Sequence, residues 1–382
     1  MRPRFAAALL LVAVPLLAGC ARGTDDSAGS DSGAVDSAAT DPGADAFAAS
    51  DTLGGTGGSA VTELVYATPY SPTHPFSRAD QRWIEHVETR SNGRLRIRPS
   101  WSGALLSSEH SMIELRHGVV DIGLITPIYV KGGVHLIRTQ SGFYSGVHGI
   151  EEQVALYHCL ADAHPQFARE LQGLKILAVQ GGSLPGLVTR ERPVTSLEEL
   201  KGMRVRVPSE LLNVMRDLGA DPVNMPMGDV YSALAKGIID GVVAPADTFR
   251  ALHLAEVADY YTPLAVPRGA YPARAIGTER WLELSAAERD VLEAAIPVWE
   301  AALAEENRNA LEEGWRYALE QGVVEVAISA EDQARFNALY SLEAERSAAA
   351  LSRYGIDGVS VLATARASIA PDGSVRCAGG AE

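Results

Sequence analysis

The sequence predicts an α/β fold of two related lobes, and three observations carry that expectation. Strand-like and helix-like patterns alternate from Glu63 to about Ala275, as expected when helices pack on the faces of sheets. One helix–glycine–strand junction occurs twice, as Leu115-Arg116-His117-Gly118-Val119-Val120-Asp121 and as Leu234-Ala235-Lys236-Gly237-Ile238-Ile239-Asp240. Beyond Ala275 the composition turns strongly helical. Each junction enters a short apolar strand stopped by proline: Ile122–Thr126 before Pro127, and Gly241–Ala244 before Pro245. In each, glycine can take the left-handed turn that closes the helix, and a β-branched pair opens the strand. Two such junctions can also arise independently in any α/β chain. Facing lobes are the sharper reading, and a cleft between lobes is a common place for a small-molecule site.

The elements follow in order. Glu63–Ala67 reads as an apolar strand, Ser77–Ser91 as a helix with Trp83, Ile84 and Val87 inward, and Leu95–Arg98 as a second strand. Ser108–His117, Glu151–His164 and Pro165–Gln172 read as helices, and Lys175–Val179 as a strand. Ser196 can cap a helix that carries Glu198 and Glu199 in its first turn and ends at Gly202. Val205 and Val207 then alternate with Arg204 and Arg206, and Pro208 stops the strand with Arg206 near its carboxyl end. Ligands of open α/β sheets sit at that end. Ser285-Ala286-Ala287-Glu288 is a capping box, and helical pattern runs on to Gln321 with Pro297 as a kink or break. Ser329 starts a helix that reaches about Tyr354, with Gly355 beyond it.

The amino terminus speaks to compartment. Arg2 and Arg4 precede the apolar run Phe5–Leu17, which is too short to span a bilayer, and Leu17-Ala18-Gly19-Cys20 follows. Residues 21–60 are Ala, Gly, Ser, Thr and Asp with almost no large apolar side chains, so they cannot offset their ordering entropy and are expected to be disordered. As a flexible coil this segment would reach about 35 Å. The chain's net charge of −15, less −6 in residues 21–60 and +2 in residues 1–20, leaves −11 on residues 61–382. An acidic body without a basic face argues against nucleic acid as a partner. Cys159 and Cys377 lie far apart in sequence, and their spacing leaves a disulfide open.

Enzyme motifs are missing. Nine histidines include no His-Glu-x-x-His, and there is neither a paired Cys-x-x-Cys nor a glycine loop ending in Lys-Ser or Lys-Thr. Gly181-Gly182-Ser183 lacks the glycine of a nucleophile elbow because Pro185 stands there. His158 and His164, six apart, do not share a helix face. No catalytic residue, metal site or cofactor is expected.

Four stretches carry a family resemblance: Tyr70-Ser71-Pro72-Thr73-His74-Pro75, Asn92-Gly93-Arg94-Leu95, the Leu115–Asp121 junction and the Ser196–Pro245 region. In order and spacing they resemble the DctP-type solute-binding proteins of TRAP (tripartite ATP-independent periplasmic) transporters, over nearly all of residues 61–365. The resemblance implies a two-lobed, periplasmic-binding-protein-like α/β fold with a hinge and a long helix spanning the lobes. It implies a binding protein, not an enzyme, that captures a small organic acid and delivers it to membrane permease subunits. Approximate lobes are 61–183 with 272–311, and 184–271 with 312–375. Leu17–Cys20 resembles a bacterial lipobox, which implies a lipoprotein signal over residues 1–20, a tether over 21–60, and anchoring to the bilayer through acylated Cys20. A sensory lipoprotein reporting to a membrane receptor would share the same site.

The family's arginine that pairs with a substrate carboxylate falls on Arg206. Ser209 and Glu210 fall on a loop that touches ligand, and Met227 on an apolar contact, although Met227 also suits a core beside a helix start. The polar run that acid-binding members carry is here Val242-Val243-Ala244, and Gly186 stands where some members bring a second basic contact. One arginine and an apolar body therefore point to a monocarboxylate. Asp247 can accept from the solute or cap the next helix, the cap being the preferred reading. From the first lobe come Tyr70, Thr73 and His74, and the loop from Trp101 to Leu106. Trp101 equally suits a core aromatic, and Glu109 a helix start.

Overall fold

A computed structural model describes residues 61–378. The expected signal over residues 1–20, the expected tether over 21–60 and Cys20 lie outside the described residues. Eleven strands form two sheets among the described residues. In order they are β1 Thr62–Ala67, β2 Leu95–Ser100, β3 Ile122–Leu124, β4 Leu174–Gln180, β5 Gly186–Thr189, β6 Arg204–Arg206, β7 Asp221–Val223, β8 Gly241–Ala244, β9 Tyr260–Thr262, β10 Tyr271–Gly277 and β11 Val324–Glu325. The first sheet has the order β2-β1-β3-β10-β4 and the second β7-β6-β8-β5-β9-β11. In each, three parallel strands are followed by an antiparallel one, β10 or β5. That fourth strand is the one that has just crossed from the other sheet. The crossing segments are joined by the Val266 amide donating to the Pro185 carbonyl at 3.0 Å.

The repeated junction is a real structural repeat. Gly118 and Gly237 both take the left-handed turn, with φ of 68° and 65°. Each following aspartate accepts from an amide of the neighbouring strand at 2.7 Å, Asp121 from Val65 and Asp240 from Arg204. Several helices are shorter than their sequence pattern. Ser111–Arg116 replaces the expected Ser108–His117, and Leu197–Leu200 is a single 3-10 turn. Glu199 reaches back to accept from the amides of Thr195 and Ser196, a capping box, and Gly202 with φ of 74° ends the turn after one cycle.

The carboxyl-terminal half supplies the spanning helix. Ser285 caps Ala286–Ala294, and the helix breaks at Ala295 because Pro297, placed in the first turn of Ile296–Glu320, has no amide to continue the ladder. This 25-residue helix stacks Trp299 on Trp83 at 3.7 Å beside the first sheet, and sets Trp315 near Phe249 and Tyr261 beside the second. The helix Ala330–Ala350 is likewise shared, with Phe336 and Tyr340 in the second lobe's core. Ala344, Leu351, Val361 and Leu362 bury with the first lobe instead, and Cys159–Cys377 fastens the chain end there. The sequence reading placed all of 312–375 with the second lobe. The apolar face of the helix Gly358–Ser368, packed on Ile150–Ala163, is what draws the end back.

Candidate functional site

A cavity of about 150 Å³ lies where the carboxyl ends of the parallel strands of both sheets meet, and opens into a wider mouth of about 600 Å³. The loop after β1 brings Tyr70 and His74, the first turn of the helix Pro75–Arg90 brings Phe76, and the turn after β3 brings Thr126 and Tyr129. From the second lobe come Arg206 at the end of β6, Met227, Ala244 at the end of β8, and Asp247. The crossing segment before β10 adds Arg268, and β10 itself Tyr271.

Arg206 is only 4% exposed, yet no carboxylate lies within 4 Å of it among the described residues. Its Nε donates to the Met225 carbonyl at 3.0 Å, and Nη2 to the Tyr129 hydroxyl at 3.2 Å across the lobes. A buried guanidinium is ordinarily paired, because its desolvation is expensive. Its charge is therefore open to an anion that enters the cavity.

The acids around it are held back from ionising. Burial pushes the Asp247 carboxyl up to about 6, against the opposing pull of Arg268 and nearby backbone amides. Burial also raises Glu210, opposed by its own backbone amide and by Arg206, Arg268 and Arg138. Asp247 Oδ1 and Glu210 Oε2 are buried without a hydrogen-bond partner, as is the Thr126 hydroxyl.

His74 is a neutral donor. Burial, then the charges of Arg274 and Arg78, push its pKa down to about 3. Its Nδ1 accepts from the Phe76 amide at 3.2 Å, capping the helix Pro75–Arg90, so the ring's proton resides on Nε2. Tyr70 stacks on this ring at 4.1 Å, giving the cavity a flat aromatic wall.

Seven of the residues singled out in the sequence line the cavity: Tyr70, His74, Arg206, Glu210, Met227, Ala244 and Asp247. Three do not. The Ser209 hydroxyl accepts from Arg138 Nη2 at 3.4 Å and borders a separate groove. Trp101 packs edge-on against the buried Tyr66, a core aromatic. At Gly186 a Cβ would meet the Tyr261 hydroxyl at 2.6 Å, so this position faces β9 and not the cavity. Asp247 stands at the start of the helix Thr248–Ala251 but makes no side-chain capping bond.

The expected single arginine does not describe the cavity, because Arg268 joins Arg206. Its Nη1 donates to the Ser183 carbonyl at 3.2 Å, and Gly182 leaves room for the guanidinium. The sequence offers only Pro267-Arg268-Gly269 in an irregular segment, with no periodicity to flag it. Tyr129 stands in a 3-10 turn that likewise has no periodicity, and Tyr271 opens β10, a strand the sequence reading did not mark.

Residues 66–345 match the family described as bacterial extracellular solute-binding protein, family 7, or DctP. A solute-binding protein of Albidiferax ferrireducens is 27% identical over 190 residues, 48% of this chain and 54% of that protein; the chain thus spans about half of this relative. Two solved structures share the fold. One is a TRAP solute-binding protein of Rhodoferax ferrireducens in complex with copurified benzoate, 21% identical, TM-score 0.74, covering 80% of this chain and 97% of that one. The other, from an unidentified marine microbe, is specific for aromatic acids and holds 3-hydroxybenzoate; it is 22% identical, TM-score 0.74, covering 81% and 98%. With the exchanged strands of both sheets and the whole spanning helix inside the matched region, the chain belongs to the DctP family of bacterial extracellular solute-binding proteins, a family of binding proteins and not of enzymes.

Proposed function

We propose that this protein is the lipid-anchored solute-capturing component of a tripartite ATP-independent periplasmic transporter, binding a small monocarboxylate between its lobes and delivering it to membrane permease subunits. The observation that carries the reading is Arg206, buried at a strand end in the cavity with no acidic partner. A planar guanidinium grips a carboxylate by two parallel hydrogen bonds. Arg268 faces Asp247 and Glu210, so the cavity has room for one further carboxylate rather than two. The benzoate and 3-hydroxybenzoate held by the two structural neighbours are monocarboxylates of matching chemistry.

Capture requires the lobes to part, because the Arg206–Tyr129 bond bridges them. The solute then replaces Tyr129 as partner, and its stronger interaction with the closed form drives closure. No helix of the described residues is long and apolar enough to cross a membrane, which fits a body held to the bilayer through acylated Cys20. The test is calorimetry with a panel of monocarboxylates and neutral controls. Binding confined to acids, and weakened about tenfold or more in Arg206→Ala, supports the reading. Equal binding by Arg206→Ala overturns it. For the anchor, Cys20→Ser should move the protein from the membrane fraction to the soluble one.

A further inference from the structure

We infer that the solute of this site is an organic acid that carries, away from its carboxylate, a hydrogen-bond donor received by Asp247; this rests on the Arg206 reading and narrows it. Asp247 has the sequence position of a helix cap, and capping would have explained it. The structure removes that explanation, since the side chain makes no capping bond. The residue is 8% exposed, lines the cavity, and keeps Oδ1 buried without a partner.

Its backbone is fixed. The Asp247 carbonyl accepts from the Arg250 and Ala251 amides at 3.1 and 2.9 Å, and Gly314 of the spanning helix packs so closely on Ala246 and Asp247 that any Cβ there would collide. The carboxylate is thus held at the cavity. Its nearest cation in effect, Arg268, forms no ion pair with it and gives a hydrogen bond to Ser183 instead. A buried carboxylate oxygen left unpaired is costly, and a donor on the ligand relieves that cost.

The sign of the second group follows from the acceptors. Asp247 Oδ1 and Glu210 Oε2 are carboxylate oxygens, so a second carboxylate on the solute would meet like charge. A hydroxyl or an ammonium would not. Arg206 serves the carboxylate of the solute, and the unpaired acids, with Arg268 beside them, receive its donor; the stacked Tyr70 and His74 line the same cavity as a flat wall.

The experiment is calorimetry on the full chain with two matched sets of acids. One set is benzoate, 3-hydroxybenzoate, 3-(aminomethyl)benzoate and isophthalate; the other is butanoate, 4-hydroxybutanoate, 4-aminobutanoate and succinate. Within a set, the donor-bearing acid should bind about tenfold or more tighter than its parent, and the diacid weaker than the parent. Asp247→Ala should erase the donor's advantage, read as the ratio of donor-bearing to parent affinity within that variant. Asp247→Asn keeps an oxygen acceptor without charge, so a hydroxyl gain that survives and an ammonium gain that disappears identify which donor is received. Parents and donor-bearing acids of equal affinity for the wild type would overturn the inference and leave the Arg206 reading standing, and that comparison needs no variant to fold. An advantage that persists in Asp247→Ala would overturn it too. Failure of every acid to bind would remove the Arg206 reading itself.

Discussion

Two arginines, one in each lobe, are almost equally hidden from water and serve opposite ends. Arg274 of β10 is fully buried beside the first lobe's core, where its Nε donates to Asp80 at 2.9 Å and Nη1 to Gln180 at 2.9 Å. Asp80 also accepts from Trp299 and Tyr66, so this charge has its counter-charge within the fold, while Nη2 is buried without a hydrogen-bond partner. Gln180 then donates to the Tyr271 hydroxyl at 3.4 Å, which links the network to the cavity wall. Arg206 of β6 is 4% exposed and has only a carbonyl and a phenol for company. Burial alone therefore does not mark a binding residue. A buried charge whose counter-charge the protein withholds does.

The same contrast appears along the repeated strands. If Asp121 and Asp240 are superposed as equivalents, Ala67 ends β1 where Arg206 ends β6, and Pro69 answers Pro208. One lobe presents a small apolar strand end and aromatic loops, and the other a cation. The cavity gains its polarity from this asymmetry.

The largest test of the comparison is Asp80→Ala. Leaving Arg274 buried without its carboxylate should cost about 3–5 kcal/mol in chemical denaturation. Arg206→Met makes the complementary test below, and equal losses from both variants would break the distinction.

Next comes pH. Asp247 has its folded-state pKa raised by burial to about 6 from the usual 3.8, with Arg268 the opposing charge. Below both values the carboxyl is protonated whether the chain is folded or not. Between them the unfolded chain releases the proton while the folded chain keeps it, so this group's contribution falls as pH rises from about 4 to about 6. The loss is on the order of 2–3 kcal/mol. Urea titrations should show that slope in the ligand-free wild type and a flatter profile in Asp247→Asn.

Arg206→Met should lower monocarboxylate affinity by about 10–100-fold while leaving the ligand-free protein as stable as the wild type or more so. Calorimetry and a melting curve on the same preparation read both. A variant that binds normally but melts early would make Arg206 a structural residue like Arg274.

The smallest effect sharpens the internal repeat. Asp121→Ala and Asp240→Ala each leave a strand amide without its acceptor. Asp121 should cost more, about 1–2 kcal/mol, because it also pairs with Arg280 at 2.9 Å; the exposed Asp240 should cost about 0.5–1 kcal/mol. Thermal denaturation of the pair checks the order.

Much of the architecture was legible because it rests on local chemistry. The two glycines turn left-handed where the pattern required, the Ser285 box caps its helix, Pro297 restarts one, and Pro208 leaves Arg206 at a strand end. Each of these is decided by φ, a missing amide or a nearby acceptor, within a few residues. Lengths were less legible, as at Leu197–Leu200, because a short turn and a helix start share the same capping residues.

What the sequence determined by itself, then, was the alternation of elements, their stops, the repeated junction and one arginine placed at a strand end. Only the tertiary structure decided which side chains share the cavity. Arg268 arrives on an irregular crossing segment, Asp247 lines the cavity without capping its helix, and Ser209, Trp101 and Gly186 turn elsewhere. The chain end joins the first lobe through Cys159–Cys377, 218 residues apart. Such outcomes depend on packing between segments distant in sequence, and periodicity carries no record of it.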